Sequence, residues 1–169
     1  MKSLVIGLFL LETIFQITGS LFYSVYPKWL WSICDASMML IPVLFGLKVG
    51  IIALIPNLIS EALWFISSGY VGPLLHAATF LIAVIILGIL KDYLDNRKTS
   101  SSILIKLACF ELLLIGEEAL YVLMRAACGA GSIEELTWSR ISVDFLSVGN
   151  IVCLAIGIAY LKRTNSDKN

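Results

Sequence analysis

Glu117, Glu118, Tyr121 and Arg125 stand close together in an otherwise apolar stretch, Leu114-Ile115-Gly116-Glu117-Glu118-Ala119-Leu120-Tyr121-Val122-Leu123-Met124-Arg125. Adjacent carboxylates can serve as general acid and base, hold a cation, or neutralise a guanidinium. At about 100° per residue, with Tyr121 at zero, Glu117, Arg125, Glu118 and Glu111 all fall within a sector about 120° wide. One helix face would therefore carry all five. A second stripe, Asn57, Ser60, Glu61, Trp64 and Ser68, has the same helical spacing, and Glu12, Gln16 and Ser20 form a third. His76 and Asp144 begin two further apolar segments.

Ionisable groups in apolar helices are costly and usually face a bundle interior or a wet cavity. Here the acids (Glu12, Glu61, Glu111, Glu117, Glu118, Asp144) outnumber the bases beside them. Unpaired buried carboxylates protonate or take up a cation. A shared, partly wet pocket accounts for the excess, and the aromatic company of Trp64 and Tyr121 suits a planar or cationic small molecule. Arg125 could equally take a carboxylate from that molecule. Glu118 and Arg125, seven residues apart, also fit a plain ion pair with no ligand, and the residues alone leave both readings open.

Catalysis does not fit the spacing. Intramembrane prenyl-endopeptidase-like proteins follow adjacent glutamates with an arginine after three residues and place histidines on later helices. Here Arg125 follows after six residues, and the one histidine, His76, lies upstream. Exosortase-type transpeptidases set a cysteine in a small-residue turn, which Cys128 in Ala126-Ala127-Cys128-Gly129-Ala130-Gly131-Ser132 resembles, with Arg140 following. The remaining basic partner is missing, and a nucleophile needs an activating base. No catalytic residue is assigned. The four cysteines show no CxxC spacing, a single histidine makes a poor metal site, and no P-loop is present. No metal, cofactor or enzymatic activity is expected. The formal net charge of +0 gives no reason to expect a nucleic-acid partner.

The elements that must position these side chains are apolar helices. Of the 169 residues 59% are hydrophobic and 14% charged, against about a quarter charged in soluble domains. Apolar runs about twenty residues long recur, the signature of membrane-spanning helices. The reading is an all-α, polytopic protein of the cell membrane with six transmembrane helices, near Ser3–Tyr23, Leu30–Phe45, Val49–Ser67, Pro73–Tyr93, Ser102–Ala127 and Ile141–Lys162. Glu12 and the absence of a small-x-small cleavage site make the first a retained helix rather than a signal peptide. Residues 1–162 form one transmembrane domain, and 163–169 a frayed cytoplasmic tail. Pro73 suits a first turn, Pro56 predicts a local kink, and Ser132 with Glu135 has capping-box spacing, predicting a short interfacial helix over Ser132–Ser139 that carries Trp138.

Six spans put both termini on one side. That side collects Lys2, Lys48, Lys91, Arg97, Lys98, Lys106, Lys162, Arg163 and Lys168, against Lys28, Arg125 and Arg140 on the other, which sets both termini in the cytoplasm. Tyr26, Trp29 and Trp31, with Trp64 and Tyr70 nearby, then form an outer aromatic belt.

The stretch Asp35-Ala36-Ser37 through Ser60-Glu61 contains Phe45-Gly46-Leu47-Lys48-Val49-Gly50, of the form FG-x-x-x-G. It resembles the second and third helices of the substrate-binding S components of energy-coupling-factor transporters, where such glycines make a tight cytoplasmic hairpin. Gly72 to Leu90 resembles the following helix, and Gly149-Asn150 through Lys162 resembles the last, which is also similar to the last helix of the five-helix receptor regions of LytS-type sensor kinases, a likeness that implies a ligand-sensing membrane domain instead. The first helix departs from the S-component pattern, offering Gly7 but no Ala-x-x-x-Ala. The resemblance implies a subunit that binds a vitamin-like or amino-acid-like solute from outside. Its partners would be membrane lipid, a coupling transmembrane subunit and ABC ATPases. It also implies a ligand site formed by His76, Glu117, Glu118, Tyr121, Arg125 and Asp144 with the loop around Trp29, to which the stripe on the third helix adds Glu61 and Trp64. Length, span number and the glycine turn are similar too to MreD-type rod-shape proteins, which implies a scaffold of cell-wall synthesis.

Overall fold

A single residue, Gly46, reverses the chain between its second and third helices, and Gly50 and Gly88 set how closely the neighbours pack. The computed structural model describes residues 2–21, 28–96, 102–138 and 147–166. Among them the regular structure is all helical: α1 (Lys2–Leu21), α2 (Lys28–Phe45), α3 (Leu47–Ser68), α4 (Gly72–Asn96), α5 (Ser102–Ala127) and α6 (Val148–Ser166), with a 3-10 turn at Ile133–Glu135. The expected bounds of α5 agree at both ends. α4 is longer than expected, reaching Asn96, and α6 carries on past Lys162 to Ser166. Residues 139–146, which include Asp144 and Arg140, lie outside the described residues. So do the side chains of Glu12, Ser20, Trp29 and Trp31.

α2 is the axis of the bundle. It packs against α1, α3, α4, α5 and α6, and Cys34 through Leu44 are all buried. Its sequence explains this: Ala36-Ser37-Met38-Met39-Leu40-Ile41 has no polar face, and a helix that is apolar all round belongs in a core. Pro42 has no N–H to give the ladder, yet α2 continues to Phe45, and the Pro42 carbonyl accepts the N–H of Gly46 at 2.9 Å.

Gly46 then turns the chain with φ 86°, a region that costs glycine nothing and other residues dearly. A Cβ on Gly50 would lie 2.7 Å from Cβ of Pro42, so α2 and α3 touch through that glycine. A Cβ on Gly88 would lie 2.5 Å from Cα of Leu47, which seats α4 on the start of α3. Beside the hairpin, Lys91 reaches Asp95 at 3.0 Å and Asp92 at 3.5 Å, and buried Lys106 pairs with Asp95, tying the end of α4 to the start of α5. Pro56 is buried inside α3 and does not end it.

Large apolar side chains point outwards. Ile66 of α3 is 76% exposed, Leu104 and Leu112 of α5 are 73% and 67%, and Ile14 of α1 and Ile151 of α6 are similarly open. Polar Gln16, Asn57, Ser60, Glu61, Thr79 and Glu117 are buried instead. α3 and α4 are each long and apolar enough to cross a membrane.

Candidate functional site

The polar side chains gather at the end of the bundle opposite Gly46. The end of α3, the start of α4 and the end of α5 meet there, with Tyr70 in the link between α3 and α4. Glu61 lies about 10 Å along α3 from that end, His76 about 6 Å along α4, and Arg125 within about 3 Å of the end of α5, at 1.5 Å per residue. The layers are therefore Arg125 at the rim, His76 and Tyr121 below it, Glu61 and Glu117 next, and Asn57 deepest.

Glu61 is buried, and its Oε1 bonds His76 Nδ1 at 2.8 Å across the α3–α4 contact. His76 sits against two rings, Phe80 edge-on at 4.7 Å and Tyr121 of α5 at 5.0 Å between centroids. These contacts leave the imidazole one face of aromatic wall and one edge of carboxylate. Glu117 joins the same layer: the single proton of the Thr79 hydroxyl is shared between its Oε1 and the His76 carbonyl, the latter at 2.8 Å. The carboxylates of Glu117, Glu61 and Asp35 all lie close enough to act electrostatically on His76.

At the rim, Arg125 stands one turn above Tyr121 on α5, its guanidinium 5.5 Å from that ring and 5.7 Å from Tyr70. Its salt bridge goes to Glu135, with Nη1 to Oε2 at 2.9 Å. The pairing with Glu118 considered from the sequence is replaced by this one. Seven residues of helix separate Glu118 from Arg125 by about 10 Å along the axis, whereas the chain after α5 folds back and delivers Glu135 directly. Glu118 is half-buried and close enough to act on Tyr121.

The fold-back follows from local chemistry. Gly129 takes φ 69°, and the capping box forms with Ser132 accepting from the Glu134 N–H and Glu135 accepting from the Ser132 N–H. The helical part is shorter than the expected Ser132–Ser139, covering Ile133–Glu135, and Trp138 is 65% exposed. The Ala130 carbonyl accepts from both Arg125 Nη2, at 3.1 Å, and the Tyr70 hydroxyl, at 3.3 Å. Gly72 and Gly131 make room: a Cβ on the first would overlap the Tyr70 ring, and one on the second would lie 3.1 Å from Arg125 Nη2.

Of the eight residues expected to form a site, Glu61, His76, Glu117, Tyr121 and Arg125 are brought into one connected network. Trp64 stands three residues beyond Glu61 on the same side of α3, half-buried, its carbonyl accepting the Ser67 and Ser68 hydroxyls. Glu118 flanks the network, and Asp144 lies outside the described residues. Glu111 leaves the α5 stripe: both its oxygens accept from Asn150 Nδ2 of α6, at 3.1 and 2.9 Å. Sequence reasoning left Tyr70, Thr79 and Glu135 out of the site. The capping-box spacing and the glycine two residues after Tyr70 were the available signals. Among the described residues no group of three or more His, Cys, Asp or Glu is placed to hold a metal ion. No family model, curated protein or solved structure matches the chain.

Proposed function

We propose that the chain crosses the cell membrane six times, with both termini in the cytoplasm, and captures a vitamin-like or amino-acid-like solute from outside. It would do so as the substrate-binding subunit of an energy-coupling-factor (ABC-type) importer. The outward-facing Ile66, Leu104, Leu112 and Ile151 and the inward-facing polar residues support embedding, because lipid rewards apolar surface and every buried polar group needs an internal partner. Among the described residues Lys48, Lys91, Lys106, Lys162 and Arg163 belong to the Gly46 end, which supports a cytoplasmic hairpin and an outward-facing Tyr70 end.

The observation that carries the solute reading is the convergence of Glu61, His76, Glu117, Tyr121 and Arg125 from three helices on the outward end. Titratable groups and aromatic rings set together inside an otherwise apolar bundle are what a small-molecule site needs. The tight Gly46–Gly50 hairpin supports the likeness to S components. ATP hydrolysis would fall to partner ATPases, since the chain has no P-loop.

A thermal-unfolding screen of the purified full chain against vitamins and amino acids tests this. At one hundred times its Kd a true solute adds about 2.7 kcal/mol and raises the melting temperature, and affinity purification from native membranes recovers a coupling subunit with ABC ATPases. Failure of every compound, with cell-wall synthases recovered in place of ATPases, would replace this reading by the scaffold one.

A further inference from the structure

Taking the solute-binding reading as its premise, the charge of the solute follows from how the site's own donors and acceptors are used. Arg125 is the group that would receive a carboxylate. Its end-on edge is already closed on Glu135, through Nη1 to Oε2 at 2.9 Å and Nη2 to Oε1 at 3.4 Å, and Nη2 also donates to the Ala130 carbonyl. Two N–H groups are left, the second on Nη1 and the one on Nε, and Nε is enclosed and has no hydrogen-bond partner among the described residues. A carboxylate held in the strong, two-pronged manner would have to evict either Glu135 from the end-on edge or the Ala130 carbonyl from the edge that includes Nε, and both hold the turn together: Oε1 of Glu135 accepts the Ser132 N–H at 3.2 Å, and the Ala130 carbonyl also accepts the Tyr70 hydroxyl. Arg125 is thus a latch on the connection that follows α5.

The acceptors are arranged the other way. Asn57 and Glu61 lie one turn apart on the same face of α3, 1% and 3% exposed. Glu61 gives Oε1 to His76. Its Oε2 and the Oδ1 of Asn57 are buried with no hydrogen-bond partner among the described residues. Around them three carboxylates, Glu61, Glu117 and Asp35, bear on the single imidazole of His76. Enclosed acceptors without donors are costly, and a carboxylate ligand would add to the excess of carboxylates over cations among the described residues. A cation bearing N–H groups satisfies both oxygens and offsets that excess, with Trp64 half-buried beside Glu61 to receive its apolar or positive face.

We infer that the solute is a small organic cation, a primary ammonium, amidinium or protonated heterocycle, which donates to Asn57 Oδ1 and Glu61 Oε2. The two oxygens form the binding pair, and Arg125 closes the rim without touching the solute's charge.

The full chain, purified in detergent, is titrated calorimetrically with benzylammonium, tryptammonium and benzamidinium, and with benzoate and indole-3-acetate as anions of matched size. At least one cation binds, and Glu61→Gln, which keeps a partner for His76, weakens it about tenfold or more. Asn57→Leu also weakens the cation while raising the melting temperature of the solute-free chain, a sign that a purely structural asparagine would reverse. Lys91→Gln, at the other end, changes nothing in the titration. Carboxylates binding in place of cations, a response to sodium or potassium instead of amines, cation binding indifferent to Glu61→Gln, or a destabilised Asn57→Leu would each overturn the assignment. Carboxylate binding would do so while leaving solute capture intact. Silence from both charge classes would remove the solute-binding reading itself along with the cation.

Discussion

At the Gly46 end, Lys91 and Lys106 are matched by Asp92 and Asp95, and close backbone contacts at Gly50 and Gly88 lock three helices together. At the Tyr70 end, Glu61, Glu117 and Asp35 surround one histidine, and the guanidinium nearby is spoken for by Glu135. The first region balances its charges inside itself and is built by steric fit. Among the described residues the second leaves enclosed acceptor oxygens over, and it is built from side chains that reach across helices. Under the proposed solute-binding reading the first region is a rigid foot and the second an unbalanced mouth.

Breaking the foot has the largest effect. Gly88→Val would drive a branched side chain into the Leu47 backbone, costing about 3 kcal/mol or more, and the variant shows a sharply lower melting temperature or fails to accumulate. Breaking the latch comes next. Arg125→Ala removes charge-assisted hydrogen bonds and cation–π contacts with Tyr70 and Tyr121, a loss of about 2 kcal/mol. Hydrogen exchange in residues 128–138 rises in that variant, while the Gly46 hairpin stays protected. The smallest effect separates the two ends most sharply. Lys91→Gln, in a partly exposed pair, changes stability by less than about 1 kcal/mol, so matched charges at the foot contribute little beside the glycine contacts. A Lys91 variant as damaging as the Gly88 one would mean that electrostatics, not fit, holds the foot together.

Local signals were readable and long-range ones were not. The bounds of α5 follow from the polar run before Ser102 and the small residues after Ala127, and the capping box of Ser132 and Glu135 is a spacing rule that needs no tertiary knowledge. The Phe45–Gly50 hairpin is legible because glycine at a reversal has a steric cause. Arg125's partner was not legible, because the path from Ala127 to Glu135 must be known before the nearest carboxylate can be. The helical wheel placed Glu111 on the same broad face as Glu117, but a wheel gives direction without saying which neighbour is met, and α6 claims Glu111 through Asn150. The central position of α2 was missed for a related reason. A short apolar helix with an internal proline gives no sign of a central place, and only its unbroken burial from Cys34 to Leu44 reveals the axis.

The central claim is that the Tyr70 end is an acceptor-rich site for a cationic solute. Mass spectrometry of small molecules released from the full chain, purified gently from a membrane that contains its solute, tests it most directly. The account predicts a nitrogen-bearing cation recovered with the unaltered chain and lost from the Glu61→Gln variant. A carboxylate without cationic nitrogen, retained by Glu61→Gln and lost from Arg125→Ala, would contradict it.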